Sequence, residues 1–109
     1  MIVADDTVSK ALAYLAEDPH PLALAQKDLT DSQNTRERVF AELFQKQSGS
    51  IKDKECAVEV TREYQIAKGS EAKAIFELTR HKARTRAAEM IIEIWRTQNA
   101  NARAAERVR

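Results

Sequence analysis

Side chains with the chemistry for catalysis are few in this sequence and lie far apart. The imidazole and thiol groups belong to His20, His81 and Cys56. Nucleophilic catalysis needs a base held beside a Ser, Cys or Thr, and no such motif surrounds either histidine. We interpret His20 as a solvated turn residue, His81 as part of a polar helix face and Cys56 as a half-buried small apolar residue. The sequence therefore predicts no catalytic residue and no enzyme.

Metal and nucleotide sites are not expected either. One cysteine and two histidines are too few for the usual four-ligand structural zinc site. The only two glycines, Gly49 and Gly69, are too widely separated to form a phosphate-binding loop. Glu89 and Glu93 share a helix face, but the Glu-x-x-His companion motif of di-iron bundles is missing. We therefore interpret them as solvent-exposed carboxylates that pair with Lys and Arg. We expect no cofactor and no bound metal.

Positive charge is concentrated in the last third of the chain. Residues 79–109 contain eight Lys and Arg against three Glu, a balance of +5, which leaves −4 for residues 1–78 of the total of +1. Such a stripe could neutralise the phosphates of a nucleic acid. The acidic first part could equally neutralise it within the fold or across a dimer. The possible nucleic-acid contacts form two adjacent rows at i,i+4 spacing, with one residue beyond them: Arg80 with Arg84, Lys82 with Arg86, and Arg96.

Composition favours helices over sheets. The chain is 32% charged and 6% aromatic and has two Gly and two Pro, which leaves few residues for hairpin turns. Its start is acidic, and no apolar run approaches the roughly 18 residues of a membrane span. We expect a protein of the bacterial cytoplasm that makes no contact with a membrane.

Apolar residues at spacings of three and four predict four helices in a single domain, 1–109. The helices are expected at about 6–18, 21–47, 51–58 and 61–98, followed by a frayed tail at 99–109. Pro19 and Gly49 mark the main breaks, whereas a lone Gly69 costs only about 1 kcal/mol in a helix and should not interrupt the last one. The predicted fold is all-α: a long, coiled-coil-like antiparallel helical hairpin with a short N-terminal helix, which associates with itself.

The middle of the second predicted helix is polar. Residues 30–38 contain no large apolar side chain, although the helical period places Ser32 and Arg36 on the inward face. One interpretation is a thin region where polar residues are tolerated. The other is a polar layer that sets the register of the helices or pairs with a partner.

The strongest apolar concentration runs from Met90 to Trp95. Trp beside Arg is a combination enriched at protein interfaces. We therefore predict that Ile91, Ile94 and Trp95 form a protein interface. The equally simple alternative is that Trp95 belongs to the core of the hairpin.

One segment resembles proteins of a known origin. Residues 88–101 resemble small uncharacterised helical proteins of tailed bacteriophages and prophages, and their most specific motif is Ile-Trp-Arg-Thr-Gln-Asn-Ala-Asn. Two earlier segments share the resemblance, namely Arg62-Glu63-Tyr64 and the break at 47–49. The resemblance covers the last 60 residues or so. It implies an origin among early phage functions for DNA recombination and replication, and it carries no chemistry to individual positions.

The sequence thus favours a non-enzymatic phage accessory or adaptor protein that acts by protein contact. We expect a homodimer that binds another phage or host protein. One alternative is direct nucleic-acid binding through the basic last helix, and another is inhibition of a host-defence complex. Gene neighbourhood separates the adaptor from the inhibitor, because an adaptor should lie beside an annealase, a single-strand-binding protein or an exonuclease.

Overall fold

A computed structural model describes residues 2–108 and contains helices throughout. The helices are α1 (Asp5–Leu15), α2 (Pro21–Gln45), α3 (Ile51–Glu59) and α4 (Arg62–Val108). No strand occurs between residues 2 and 108. The predicted all-α fold, with an antiparallel hairpin and a short N-terminal helix, is confirmed.

The breaks between helices follow local hydrogen bonding. Gly49 adopts a φ of 110°, the left-handed conformation that favours glycine after a helix. Ser50 then caps α3, because its hydroxyl accepts a hydrogen bond from the Asp53 N–H at 3.1 Å. Thr61 caps α4 in the same way by accepting from the Tyr64 N–H at 3.3 Å. The break predicted between the helices at 51–58 and 61–98 is therefore present, between Glu59 and Arg62.

The end of the last helix was predicted wrongly. α4 continues to Val108, well past the predicted end at residue 98, so the frayed tail is helical as far as the structure describes it, and Arg109 lies outside the described residues. Residues 102–107 consist of Ala, Arg and Glu, which are strong helix formers and outweigh the weak formers Thr97 and Asn99. α1 ends at Leu15 and α2 at Gln45, both slightly earlier than predicted.

Contacts group the chain into two compact units. Unit 1 comprises Met1–Ala23 and Arg80–Arg109, and unit 2 comprises Leu24–Thr79. Unit 1 therefore contains α1 and the later part of α4, whereas unit 2 contains most of α2, all of α3 and the first part of α4. The prediction of a single domain stays a prediction.

Unit 2 is an antiparallel hairpin of α2 and α4. Phe40 lies edge-on to Tyr64, with ring centroids 5.6 Å apart, and Arg36 pairs with Glu71. Because a later position on α2 meets an earlier position on α4, the two helices run in opposite directions. The buried residues of this unit are Ala25, Val58, Tyr64, Ala67, Ala74 and Leu78.

The polar middle of α2 forms a pairing layer at Arg36. Its Nε donates a hydrogen bond to Glu71 Oε2 at 2.6 Å, and the two side chains are 29% and 21% exposed. This bond to Glu71, together with the nearby Tyr64, raises the pKa of Arg36 above its ordinary value. A raised pKa of Arg36 stabilises the fold at every pH below the ordinary value, so this shift adds no pH dependence near neutrality. Ser32 is half-buried on the same side of α2.

Unit 1 packs α1 against the later part of α4. Its core contains Ala11, Tyr14, Ala88 and Ile92, with Leu15 and Ile91 packed against it. Leu12 also fits the spacing of apolar residues along α1, but it is 50% exposed. Tyr14 is buried instead, because the residues of α1 that face α4 are Val8, Ala11 and Tyr14, each three positions after the last.

The first prediction concerns the two neighbouring valines at the end of α3. Val58 is fully buried and Val60 is 82% exposed. Val58→Ala should lower the free energy of unfolding by roughly 1–3 kcal/mol, because it leaves a cavity. The matched control Val60→Ala should change it by less than about 0.5 kcal/mol. Urea unfolding followed by circular dichroism measures both, and equal losses would contradict the burial of Val58.

A second prediction compares two ion pairs. A double-mutant cycle with Arg36→Gln and Glu71→Gln should give a larger coupling free energy than the same cycle at Arg38 and Glu42. The second pair is an exposed i,i+4 contact at 3.5 Å, of a kind worth about 0.3–0.5 kcal/mol. Water screens the half-buried pair less. Thermal unfolding of the variants provides the measurement, and a coupling at Arg36 no greater than at Arg38 would argue against a register-setting layer.

Candidate functional site

Tyr14 is the residue on which the contacts of unit 1 converge. Tyr14 is 4% exposed, and its hydroxyl oxygen lies 3.2 Å from Thr85 Oγ1. The Thr85 hydroxyl donates its own proton to the His81 carbonyl oxygen at 2.8 Å. The Tyr14 hydroxyl also donates to this carbonyl oxygen, at 3.4 Å. This arrangement ties one side chain of α1 to two consecutive turns of α4.

Both histidines also contact Tyr14. His81 Nδ1 lies 3.4 Å from the Tyr14 hydroxyl oxygen, and the ring of His20 lies edge-on to the Tyr14 ring at 5.0 Å. His20 Nδ1 accepts a hydrogen bond from the Leu22 N–H at 3.1 Å, at the start of α2. His20 is half-buried and is therefore not the solvated turn residue that the sequence suggested. Both imidazoles therefore contact the buried Tyr14, and His20 also bonds to the start of α2.

An open groove of about 220 Å³ lies beside Tyr14, between α1 and α4. The Arg84 guanidinium lies over the Tyr14 ring at 4.2 Å from its centroid, a cation–π contact. On the α1 side, Lys10 pairs with Asp6 at 3.2 Å. The groove is thus mostly apolar at its base and is flanked by the basic side chains of Lys10 and Arg84. Its lining residues are Thr7, Lys10, Ala11, Tyr14, Arg84, Ala87, Ala88 and Ile91.

The predicted protein interface lies at the edge of the unit 1 core. Ile91 packs against the buried cluster and also lines the groove. Ile94 and Trp95 are half-buried, so each has one part in contact with the fold and one part open to water. Met90, which the sequence did not single out, is 58% exposed and is the most accessible apolar side chain of this segment.

The predicted nucleic-acid contacts do not form one continuous surface. Residues two positions apart point about 200° apart around a helix, so Arg84 and Lys82 project from opposite sides of α4. The two rows therefore flank the buried stripe of α4, whereas the sequence analysis placed them side by side. Arg80, Lys82, Arg84, Arg86 and Arg96 are all exposed, but Arg84 is also engaged with Tyr14.

Acidic residues reduce the positive charge of this region. Glu89 and Glu93 lie on α4 between Arg86 and Arg96, and both are exposed. Unit 1 as a whole has nine Lys and Arg against seven Asp and Glu, because it also contains the acidic α1. The excess of positive charge in the last third of the sequence is therefore largely neutralised within unit 1.

Sequence reasoning missed the exposed apolar residues of unit 2. The signal that could have found Ile66 and Phe76 on α4 is a second 3,4-spaced series, formed by Ile66, Gly69, Lys73 and Phe76. Ile75 lies outside that series. Cys56 is exposed on α3, which corrects the prediction that it is half-buried. The large apolar side chains of unit 2 that are at least 46% exposed are Leu24, Ile51, Val60, Ile66, Ile75 and Phe76.

The part of the chain that the structure describes, residues 2–108, has neither a metal-binding cluster nor a membrane-spanning helix. No three His, Cys, Asp or Glu side chains in this range are grouped so that they could hold a metal ion. Nor does this part of the chain contain a helix with the length and apolar character to cross a membrane.

A third prediction separates Arg84 from its basic neighbours. Arg84→Gln should lower the stability of unit 1 by about 0.5–1 kcal/mol, because it removes the cation–π contact with Tyr14. The control Arg86→Gln changes the same charge and should have a smaller effect. Thermal unfolding and amide hydrogen exchange of α1 measure the difference, and faster exchange in the Arg86 variant than in the Arg84 variant would contradict it.

The chain was compared with known proteins on the basis of both sequence and structure. No protein-family model, no curated protein and no solved structure matches it.

Proposed function

We propose that the protein is a non-enzymatic adaptor that works by contact with other proteins. The observation that carries this proposal is the amount of surface left uncovered. The chain exposes 8239 Å². A folded monomer of 12.3 kDa exposes about 6,100 Å² by the usual scaling of surface with mass. The chain thus exposes about a third more surface than a monomer of its mass normally does.

Much of this surface is apolar. Nine large apolar side chains among residues 2–108 are at least 46% exposed. Of the eleven buried apolar residues in the same range, five are alanines. Single exposed apolar residues are normal on a protein surface, but a small chain that exposes this many has apolar area available for partners. This supports a role in binding proteins, because the same side chains offer no groups for acid–base or nucleophilic chemistry.

The groove beside Tyr14 and its surroundings are the best candidate for the adaptor contact. Met90 offers exposed apolar area, and Ile91, Ile94 and Trp95 contribute their uncovered parts. Trp, with Arg nearby, is the combination most enriched where binding energy concentrates. In this proposal Trp95 belongs both to the core and to the interface, since one part of the side chain contacts the fold and the other can contact a partner.

The biological setting that we propose is phage DNA recombination or replication in the bacterial cytoplasm. The support is the resemblance of residues 88–101 to helical proteins of tailed phages and prophages. Inhibition of a host-defence complex would use the same kind of surface. The two differ in gene neighbourhood, because an adaptor should be encoded beside an annealase, a single-strand-binding protein or an exonuclease.

Direct nucleic-acid binding is the main rival, and one observation favours it. Lys82, Arg86 and Arg96 are exposed. Contacts of this kind neutralise phosphates without reading sequence, so the affinity would fall steeply with salt. The intervening Glu89 and Glu93 oppose such binding by repelling phosphate.

The fourth prediction tests the adaptor against this rival. A fluorescent single-stranded oligonucleotide should show no change in anisotropy with the protein at either about 50 or about 200 mM salt, a range over which phosphate-driven affinity falls by orders of magnitude. The double variant Lys82→Glu with Arg86→Glu should behave like the wild type.

The opposite outcome is equally clear. Binding at low salt that disappears at moderate salt and in the double variant, but survives in Arg84→Gln, would replace the adaptor by nucleic-acid binding. A positive test of the adaptor uses the purified products of neighbouring genes. In that test Met90→Ser should weaken the complex at least tenfold without changing the circular dichroism spectrum, whereas Leu12→Ser should not.

A further inference from the structure

The groove between α1 and the later part of α4 has two cations and no carboxylate among its eight lining residues. Lys10 lies on the α1 side and Arg84 on the α4 side. Ala11, Ala88 and Ile91 give the groove an apolar base. A partner segment that complements this lining carries negative charge close to an apolar side chain.

Arg84 is the cation of this groove that the fold leaves without an anion. Its guanidinium lies over the Tyr14 ring, 4.2 Å from the ring centroid. Within residues 2–108, no carboxylate pairs with Arg84 and no oxygen atom accepts a hydrogen bond from it. A guanidinium has five N–H donors, and a cation–π contact provides none of them with an oxygen acceptor. These donors are therefore available to a partner.

The buried Tyr14 holds the Arg84 side chain in place. Tyr14 is 4% exposed, and its hydroxyl group contacts Thr85 and donates to the His81 carbonyl oxygen, so the ring has a fixed position. An arginine that rests on a fixed ring loses less conformational freedom on binding than a free surface arginine does. A carboxylate can accept two N–H groups of one guanidinium at once, which makes it a suitable ligand for Arg84.

Lys10 is the weaker of the two cations, because the fold already provides it with a carboxylate. It pairs with Asp6 at 3.2 Å, and the two side chains are 78% and 77% exposed. Water screens so exposed a pair, so Lys10 still adds to the positive potential of the groove. The specific contact with a partner belongs to Arg84.

We propose that this groove binds an acidic segment of a partner protein, with a carboxylate on Arg84 and a large apolar side chain against Ile91. The inference rests on the proposed function and names the chemistry of the partner at the same surface. Arg84 and Ile91 are seven residues apart on α4, so the two contacts lie about 10 Å apart along the helix axis. A partner segment covers this distance with about three residues when extended or about seven when helical.

The surroundings of Ile91 suit an acidic and apolar segment. Ile94 and Trp95 follow Ile91 by three and four residues, on the same side of α4, and both are half-buried. Glu89 and Glu93 are each two residues from Ile91, which corresponds to about 200° around the helix. Their carboxylates therefore project from the opposite side of α4 and do not repel an acidic segment in the groove.

The lining favours a protein segment over a nucleic acid. Proteins bind single strands through phosphate contacts and through bases that stack on aromatic rings. Tyr14 is the aromatic residue of this lining, and it is 4% exposed with Arg84 over its ring. The groove thus presents alanine and isoleucine to its ligand, which suit the apolar side chain of a protein rather than a base.

Selection from a library of random short peptides, with the full-length protein as bait, tests the proposal. The selected peptides should be enriched in Asp or Glu, with a large apolar residue about three or about seven positions away. A library that yields no binder, or binders without an acidic residue, would overturn the proposal.

Exchange of the acidic residue of a selected peptide for its amide then tests the contact with Arg84. The exchange should raise the Kd for the wild type about tenfold, as measured by fluorescence anisotropy. It should have little effect on the Kd for Arg84→Gln. The control Arg86→Gln removes the same charge from the opposite side of α4 and should behave like the wild type.

Arg84→Lys provides a second variant, which keeps the charge next to Tyr14. It should bind the acidic peptide more weakly than the wild type, because lysine lacks the two-donor geometry. Circular dichroism under the binding conditions shows whether each variant is folded. An acidic peptide that binds both Arg84 variants as tightly as the wild type would refute the contact.

Two comparisons separate this proposal from its alternatives. A single-stranded oligonucleotide at about 200 mM salt should not displace the peptide, and displacement would assign the groove to nucleic acid and overturn the proposal. If the product of a neighbouring gene binds in a manner that depends on Met90, but no acidic peptide is selected, the adaptor function stands and the acidic partner is wrong. If the acidic peptide binds through Arg84 and no such product binds, the specificity of the groove stands and the adaptor function fails.

Discussion

The packing of α4 depends on one constraint: every residue of its buried stripe must fit closely against another helix. Alanine occupies this stripe at Ala67, Ala74 and Ala88, which are seven and fourteen residues apart, and all three are buried. Larger apolar residues occupy other positions of the stripe, at Tyr64, Leu78 and Ile92. Alanine allows helices to approach closely but buries little apolar area, so the stripe gives a well-defined but thin core.

Polar residues in the same stripe provide the register that alanine does not. A layer of alanines fits about equally well when one helix slides by two turns, whereas a half-buried carboxylate or hydroxyl fits only opposite its partner. In unit 2 that partner is Arg36, which bonds to Glu71 at 2.6 Å. In unit 1 it is Tyr14, whose hydroxyl meets His81 and Thr85. Each unit therefore has its own polar contact that sets the register of α4, with α2 in unit 2 and with α1 in unit 1.

The spacing of apolar residues was enough to predict the four helices. Pro19 and Gly49 were enough to predict the main breaks, because both residues act on the local backbone. The spacing did not predict that Tyr14 replaces Leu12 in the core, since both are apolar and only the rotation of α1 against α4 distinguishes them. The stacking of Arg84 on Tyr14 depends on the same rotation, so a sequence pattern could only group Arg84 with the other basic residues. The end of α4 was missed because the three weak helix formers at Thr97, Asn99 and Asn101 were given more weight than the six strong ones that follow.

The thin core also supports the proposal that the remaining apolar residues bind other proteins. A chain that fills its helix contacts with alanine has few buried positions for its large apolar residues, and Phe76 and Met90 remain on the surface of α4. If these residues served only to stabilise the monomer, they would be expected in the stripe, where alanine is found instead. Their place outside it is what a helix that meets other chains requires, because such a helix needs one apolar face for its own hairpin and others for its partners.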